Sequence, residues 1–305
     1  VSRLLDGDRR ALARGLSVVE AGGVDGSALQ AQVYPKTGQA LRIGITGAPG
    51  VGKSCLVDQL AQCFADRLGA VGVVAVDPSS AFSRGALLGD RVRMNRSALD
   101  DRIFVRSMAS RGELGGLSKA TAAAADLMDA AGKKIVILET VGVGQSEIEV
   151  TWATDFVVIV LAPGAGDGIQ ALKAGLMEVG DLFCVNKCDL DGAERVRDDV
   201  EAALELSARH HDDPPPVLLV AAVEGRGLPE LAEAILKALD ERRADQRFAA
   251  RRRQVAEHRI EQAVLREGQR RARARIAARP DLVAAVVDRR QDPDAVVQEL
   301  LGEWT

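Results

Sequence analysis

The stretch Gly47-Ala48-Pro49-Gly50-Val51-Gly52-Lys53-Ser54 decides the fold of this 305-residue chain. It matches the pattern G-x-x-x-x-G-K-[ST], in which glycines let successive backbone N–H groups turn toward phosphate oxygens. The apolar run at 41–46 predicts a buried strand before the loop, and apolar residues at helical spacing predict a helix at about 53–69 after it. A plain glycine-rich turn is the alternative, but the Lys and Ser in register favour a nucleoside triphosphate site.

Two side chains give this loop its predicted chemistry. Lys53 is expected to reach the β- and γ-phosphates as a point charge, and the Ser54 hydroxyl is expected to ligate Mg²⁺. The helix that follows adds the positive end of its dipole. We therefore predict catalytic roles for Lys53 and Ser54. The predicted phosphate contacts are Gly47, Ala48, Pro49, Gly50, Val51, Gly52, Lys53, Ser54 and Cys55.

The composition excludes several classes of protein. A hydrophobic content of 47% suffices for one large α/β domain with helical additions. The net charge of −4 argues against nucleic acid as a partner, although residues 241–279 hold thirteen arginines against five acidic residues. The four cysteines form no C-x-x-C pair, so a reducing cytoplasm is expected. The three histidines are not spaced as metal ligands with those cysteines. No apolar run reaches the length of a membrane span, and no signal-peptide pattern is present, so no membrane partner is expected.

Short apolar runs alternate with helical patterns from about 39 to 240. Continuous apolar strands are typical of burial on both faces, so we predict an α/β fold with a mostly parallel sheet flanked by helices, the P-loop NTPase arrangement. The predicted strands are 41–46, 71–76, 103–106, 134–138, 155–161, 182–186 and 217–221. The predicted helices are about 53–69, 118–131, 168–179, 193–207 and 228–240.

Helical segments are predicted on both sides of this domain. Residues 1–38 are expected to form an N-terminal extension in which Asp8 caps one helix and a Gly/Pro/Thr-rich linker follows through Gly38. Residues 241–305 are expected to form an arm with a long helix to about 278, a break at Pro280 and two short helices. Because the apolar stripe of the long helix cannot bury itself, it should pack on the core or on a second subunit.

The motif Asn186-Lys187-Cys188-Asp189 follows a predicted strand and indicates which base is bound. The Asp189 carboxylate can accept hydrogen bonds from N1–H and the exocyclic amine of guanine, whereas adenine offers neither donor. Asn186 is expected to bridge loops and meet the base edge, and the stem of Lys187 to cover one ring face. GTP is therefore favoured over ATP. The remaining predicted base contacts are Ala221, Ala222 and Val223, where the Ala222 N–H would reach guanine O6.

Three carboxylates are candidates for the metal surroundings. Glu139 ends an apolar strand three residues before Gly142, the place of D-x-x-G in many GTPases. We expect Glu139 to hold Mg²⁺ through a water. The Gly142 N–H is expected to act as a catalytic group that senses the γ-phosphate. From the residues alone, the simpler interpretation of Asp77 and Asp90 is that each is an ordinary turn aspartate.

Six segments together resemble the MeaB/ArgK family of P-loop GTPases, which includes the methylmalonic aciduria type A protein. The most specific is Glu139-Thr140-Val141-Gly142-Val143-Gly144-Gln145-Ser146-Glu147. The others are the 47–54 loop, Val76-Asp77-Pro78-Ser79-Ser80, Leu88-Gly89-Asp90-Arg91, Arg111-Gly112-Glu113-Leu114-Gly115-Gly116-Leu117 and Pro163-Gly164-Ala165-Gly166-Asp167. The resemblance covers roughly the whole chain, since the helical segments at both ends also look like the family's.

This resemblance implies a function. Such proteins are homodimeric G-protein chaperones that use GTP to gate adenosylcobalamin loading of acyl-CoA mutases, chiefly methylmalonyl-CoA mutase, and to protect or rescue the mutase. The resemblance implies that Mg²⁺ is surrounded by Ser54, Asp77, Asp90 and Glu139. It also implies a partner-responsive switch loop at about 164–173. The switch candidates are Asp167, Gln170 and Lys173, with Gln145 added for its residue type.

Some residues depart from the family pattern, and two other biochemical functions stay open, besides a purely structural binding module in which GTP is never hydrolysed. Ala81, Arg84 and Gly168 are unusual for the family, the last within the switch loop. One alternative is a P-loop kinase or ATPase associated with lysine/arginine/ornithine transport, against which the Asn-Lys-x-Asp motif argues. The other is a nickel-type metallochaperone GTPase, against which the lack of His-rich or paired-Cys ligands argues.

Overall fold

A computed structural model describes residues 1–77, 97, 99–109, 116–140, 150–164, 176–207, 214–244 and 246–302. The chain divides into two compact units, Val1–Val255 and Ala256–Thr305. The strands are β1 Leu41–Thr46, β2 Val71–Asp77, β3 Ile103–Ala109, β4 Ile135–Thr140, β5 Phe156–Leu161, β6 Leu182–Val185 and β7 Val217–Leu219. The helices are α1 Ser2–Leu5, α2 Arg9–Ala21, α3 Gly23–Val33, α4 Lys53–Leu68, α5 Gly116–Ala130, α6 Met177–Val179, α7 Ala193–Ser207, α8 Leu228–Ala244, α9 Arg247–Ala278, α10 Pro280–Val287 and α11 Pro293–Gly302, with short 3₁₀ turns at Tyr34–Lys36 and Val150–Ala153.

The strands form one sheet of seven, in the order β3-β2-β4-β1-β5-β6-β7. Every neighbouring pair in it is parallel. All residues of β1, β4 and β5 are buried, which explains why these strands are apolar along their whole length rather than on alternate positions. The predicted α/β fold is confirmed, with all seven strands in place. Of the helix predicted at 168–179, the described residues include only its end, as α6.

Helices cover both faces of the sheet. On one face α4 and α8 pack against alternate strand residues such as Ile43, Ile137 and Val158. On the other face α5 and the N-terminal helices cover the half that contains Val136 and Leu138, while α7 covers the half near β5 and β6. Since side chains alternate along a strand, residues of β1 and β4 one position apart lie on opposite faces.

The N-terminal extension contains more helix than expected. Asp8 caps α2 as predicted, since its carboxylate accepts a hydrogen bond from the Ala11 amide at 2.8 Å. The prediction of a linker from the end of α2 through Gly38 is partly wrong, because α3 occupies much of that segment. Gly22 and Gly23 take positive φ angles of 73° and 74° and turn the chain, and α3 then packs on α2 and α5.

A buried charge cluster lies at the amino ends of β1 and β5. The Arg42 guanidinium donates to Asp126 at 2.7 Å and to Asp129 at 3.4 Å, and both carboxylates are fully buried. Burial alone would lower the pKa of Arg42, but the charges of Asp126, Asp155 and Asp129 outweigh it and raise that pKa. Asp129 also accepts hydrogen bonds from the backbone amides of residues 38–40. The cluster therefore fixes the entry into β1.

Arginines that follow the sheet domain in sequence hold the same end of the sheet. Arg252 of α9 donates to Asp155 at 3.0 Å and to the carbonyl oxygens of Gly38 and Ala40 at 2.6 and 2.9 Å. Arg242 of α8 donates to Asp181 at 2.6 Å. We call the Arg252 contacts the arginine clasp. It ties the first turns of α9 to the start of β1 and the residue before β5.

The unit Ala256–Thr305 consists of the rest of α9 with α10 and α11. The predicted long helix and the break at Pro280 are confirmed, and Arg279 pairs with Asp281 and Glu299 across the turn. Several apolar side chains of α9 are exposed, among them Ile260 and Val264 at 65% each. Among the helices that the structure describes, none has the length and apolarity needed to cross a membrane.

Candidate nucleotide-binding site

The glycine loop follows β1 at the carboxyl edge of the sheet, between the ends of β4 and β5. In open parallel sheets this edge is where ligands bind, because the strand order reverses beside the central strand. The 47–54 loop and the 186–189 motif, which are far apart in sequence, both lie here, after β1 and β6. Their hydrogen bonds build one site.

Two of the loop glycines are required by space as well as by backbone angle. Gly47 has a φ of 147°, and a Cβ there would lie 2.1 Å from the Val160 carbonyl oxygen. Gly52 has a φ of 92°, and its Cβ would lie 2.5 Å from Nδ2 of Asn186. A contact below 3 Å with backbone cannot be accommodated without moving β5, so any side chain at Gly47 would displace the loop.

Lys53 begins α4 and folds back over the loop. Its Nζ donates to the carbonyl oxygens of Gly47 at 2.6 Å and Ala48 at 2.9 Å, and the side chain is only 6% exposed. These acceptors are uncharged, and an anionic phosphate oxygen would be a stronger one. The ammonium is thus held at the helix N-terminus, where a bound anion is also favoured by the helix dipole.

Ser54 and Glu139 meet at the end of β4. The Ser54 hydroxyl donates to Oε1 of Glu139 at 2.6 Å, and Glu139 is 4% exposed. Glu139 lies opposite Ile45 in the β1–β4 register, one residue before β1 ends. Asp77 closes β2 beside β4, so its backbone lies at the same edge, and its side chain is outside the described residues. Hydroxyl and carboxylate oxygens therefore converge where the loop ends.

Asn186 connects the phosphate loop to the predicted base loop. Its Nδ2 donates to the Val51 carbonyl oxygen at 2.8 Å, and its Oδ1 accepts from the Ala222 amide at 3.1 Å. Asn186 and Ala222 are 2% and 1% exposed, so both bonds are shielded from water. Lys187, at a positive φ of 59°, adds a second link through its Nζ to the Gly50 carbonyl oxygen at 2.7 Å. The two motifs are thus joined into one hydrogen-bonded assembly.

The remaining predicted base contacts surround this assembly. Asp189 is exposed at the rim, and Val223 is 83% exposed in the turn after β7. Ala221 is buried, with its amide bonded to the Arg226 carbonyl oxygen at 3.0 Å. An exposed carboxylate beside a buried, preorganised Asn is suited to accept hydrogen bonds from a base that enters from solvent.

Several predicted site residues lie outside the described residues. They are Asp90, Gly142, Gln145, Asp167, Gln170 and Lys173, together with the family departures Ala81, Arg84 and Gly168. The structure adds one pair that the sequence reasoning missed: Thr140 donates from Oγ1 to Oγ1 of Thr46 at 2.9 Å, directly behind the loop. The only sign of this pair in the sequence is that both threonines lie at or just after the ends of predicted strands, which does not indicate contact unless the strands are known to be neighbours. In the described part of the chain, no cluster of three or more His, Cys, Asp or Glu could hold a metal ion.

Comparison with known proteins places this chain in a family. The family model described as methylmalonyl Co-A mutase-associated GTPase MeaB matches residues 12–276. A Pyrococcus horikoshii protein named "Putative GTPase PH0274" is 40% identical, over 99% of this chain and 98% of its own length. The mouse protein named methylmalonic aciduria type A homolog, mitochondrial, is 34% identical over 69% of this chain and 52% of its own length. A solved structure titled LAO/AO transport system kinase superposes with a TM-score of 0.76 at 29% identity, over 99% of this chain and 95% of that one. With a G-x-x-x-x-G-K-[ST] loop, an Asn-Lys-x-Asp motif and a family match over most of its length, the chain belongs to the MeaB family of GTPases.

Proposed function

We propose that this protein is a GTP-hydrolysing chaperone that gates adenosylcobalamin loading of a cobalamin-dependent acyl-CoA mutase and protects or reactivates it. The mutase is methylmalonyl-CoA mutase or a relative. The family description, which names association with that mutase, supports the partner. The observation that best supports guanine-nucleotide binding is the Asn186 bridge, because it links the start of the 186–189 motif and the Ala222 turn to the phosphate loop. A base held by Asp189 would thereby be at a set distance from the phosphates.

The donor set present here fits a magnesium ion. Mg²⁺ prefers hard oxygen ligands and binds through one or two carboxylates plus substrate phosphates. The Ser54 hydroxyl and the Glu139 carboxylate provide such oxygens at the loop, and Asp77 ends the neighbouring strand. Bound there, the ion would neutralise charge on the β- and γ-phosphates. Asp90 completes the proposed set.

Lys53 and the loop amides supply the rest of the proposed catalysis. Lys53 would exchange a loop carbonyl for a γ-phosphate oxygen and stabilise the charge of the transferring phosphoryl group. The Gly142 amide would bind the γ-phosphate as a sensor. No residue is assigned to position the attacking water, so we expect slow intrinsic turnover that rises when the partner orders the switch residues Gln145, Asp167, Gln170 and Lys173.

We further propose that the protein is a cytoplasmic homodimer in which residues 241–305 form the dimerisation arm after an N-terminal extension at 1–38 and a GTPase domain at 39–240. Exposed Ile260, Val264 and Leu265 on α9 support this, because apolar side chains on a long helix are stabilised when a partner covers them.

The nucleotide proposal is tested by comparing GDP, GTP, ATP and xanthosine nucleotides on the wild-type protein and on Asp189→Asn. We expect GTP and GDP to bind and ATP to bind weakly, and the variant to shift toward xanthosine nucleotides, since its amide matches the changed base edge. A wild-type preference for ATP would contradict the proposal and support the kinase alternative.

The chaperone proposal is tested with purified cobalamin-dependent methylmalonyl-CoA mutase. We expect its affinity for the protein to differ between the GTP- and GDP-bound forms by about 5- to 150-fold, the usual size of such couplings, and GTP hydrolysis to rise when it is added. Hydrolysis on the order of tens per second that the mutase leaves unchanged would refute a partner-directed switch.

A further inference from the structure

Thr46 and Thr140 occupy a special place in the sheet. Thr46 is the last residue of β1, directly before the glycine loop, and Thr140 is the last residue of β4, directly after Glu139. Both are buried, at 0% and 1% exposure, and their hydroxyl groups form a hydrogen bond of 2.9 Å. A buried polar pair thus joins the two strands that deliver the loop and the carboxylate.

The backbone pairing of these two strands ends one residue earlier. The β1–β4 register runs from Leu41 and Ile135 to Ile45 and Glu139. Beyond that point Thr46 stays paired to β5 and Thr140 stays paired to β2. The hydroxyl bond therefore bridges the strands where the sheet begins to separate, beside the nucleotide site.

The threonine bond and the Ser54–Glu139 bond act on opposite faces. Consecutive side chains of a strand alternate, so Glu139 lies on the α4 face, where it meets Ser54, while Thr140 lies on the other face with Thr46. Held on both sides, the end of β4 cannot rotate or slide relative to the loop without breaking one of the two bonds.

Stability alone does not call for two hydroxyl groups here. A net hydrogen bond contributes about 1 kcal/mol, and replacing both partners with apolar groups of the same shape is often nearly neutral. Valine has the shape of threonine and suits a buried strand. What a valine pair would lack is the directional bond, which sets the distance between two side chains in a way that an apolar contact does not.

We propose that Thr140, through its hydrogen bond to Thr46, is a positioning residue that holds the Glu139 carboxylate beside Ser54 for Mg²⁺. This rests on the proposed GTPase function, but only on its magnesium–nucleotide site and not on any mutase partner. The threonine pair touches neither the ion nor the nucleotide in this account, and it acts through the backbone of β4.

The test measures the Mg²⁺ concentration at which binding of a fluorescently labelled GDP is half-maximal. The midpoint of urea unfolding is measured alongside. The variants are Thr46→Val, Thr140→Val, Thr140→Ser and the double variant T46V/T140V. Thr154→Val is the matched control, because Thr154 is an equally buried threonine whose hydroxyl donates to the Thr151 carbonyl oxygen away from the loop.

We expect each single valine variant to need about 10- to 100-fold more Mg²⁺, as when an outer ligand-orienting partner is lost. Thr140→Ser should behave like the wild type, and Thr154→Val should change only stability. The double variant decides between roles: its unfolding midpoint should return toward the wild type while its Mg²⁺ requirement stays high.

Recovery of both properties in the double variant would overturn the proposal and make the pair purely structural, as would single variants with wild-type Mg²⁺ dependence. If a single variant does not fold, Thr140→Ser and the double variant still give the answer. A wild-type protein that binds GDP without any need for Mg²⁺ would refute this proposal together with the magnesium site. A mutase that does not respond would refute only the chaperone role.

Discussion

Replacing Asn186 with alanine should destabilise the protein even without nucleotide. The change removes the bonds to Val51 and Ala222, at 2.8 and 3.1 Å, and leaves a buried Ala222 amide without its acceptor. Each net hydrogen bond contributes about 1 kcal/mol and a buried donor without a partner costs about 1–3 kcal/mol, so we expect a loss of about 2–4 kcal/mol. At about 2–4 °C per kcal/mol, the midpoint of thermal unfolding should fall by about 4–16 °C.

The assay is thermal unfolding of the nucleotide-free protein by circular dichroism, paired with GDP affinity by calorimetry. Asp189→Ala is the control, since Asp189 is exposed and belongs to the same motif. We expect it to weaken GDP binding while its unfolding midpoint stays within about 2 °C of the wild type, because exposed substitutions usually change stability by less than about 0.5 kcal/mol. An Asn186→Ala protein that unfolds at the wild-type temperature would refute the argument that this side chain joins the two loops.

Two further predictions concern buried groups away from the nucleotide. Arg42→Met should lower the free energy of urea unfolding by about 3–5 kcal/mol, because Asp126 and Asp129 would stay buried without their guanidinium. Arg197→Met on the surface should lower it by less than about 1 kcal/mol. Equal losses would contradict the buried-cluster account. Burial raises the pKa of the Cys184 thiol, so in the folded protein at pH 8 it should be the slowest cysteine to react with iodoacetamide, as read by mass spectrometry of its peptide, and a rate equal to that of the half-buried cysteines would count against this.

Local patterns in the sequence were sufficient to predict the strands and the loop. The 47–54 loop is contiguous, and runs such as 135–138 are apolar without alternation, so burial on both faces could be read directly. The helix α3 was not predicted, because Gly22, Gly23 and Gly26 resemble a linker. In the structure Gly26 instead lets α3 approach α2 closely, with its hypothetical Cβ only 3.1 Å from the Val18 carbonyl oxygen.

What the sequence could not provide is the order of the strands and every contact that depends on it. Arg42 and Asp126 are 84 residues apart, with β2 and β3 between them in the sequence. No spacing rule connects a guanidinium and a carboxylate at that separation. Thr46 and Thr140 are likewise 94 residues apart. These pairs exist only because β4 lies between β1 and β2, which is a property of the whole topology.

The arginine clasp has a practical consequence for anyone who trims this chain. The composition changes near residue 240, and a shortened protein that stops there would retain Asp155, 4% exposed, while losing Arg252. It would also lose Arg242 and with it the guanidinium that pairs with Asp181. A fragment that ends after Val255 keeps both arginines. When the two fragments are expressed side by side, we expect the shorter one to accumulate in inclusion bodies because it lacks the clasp. The longer one should give good yields.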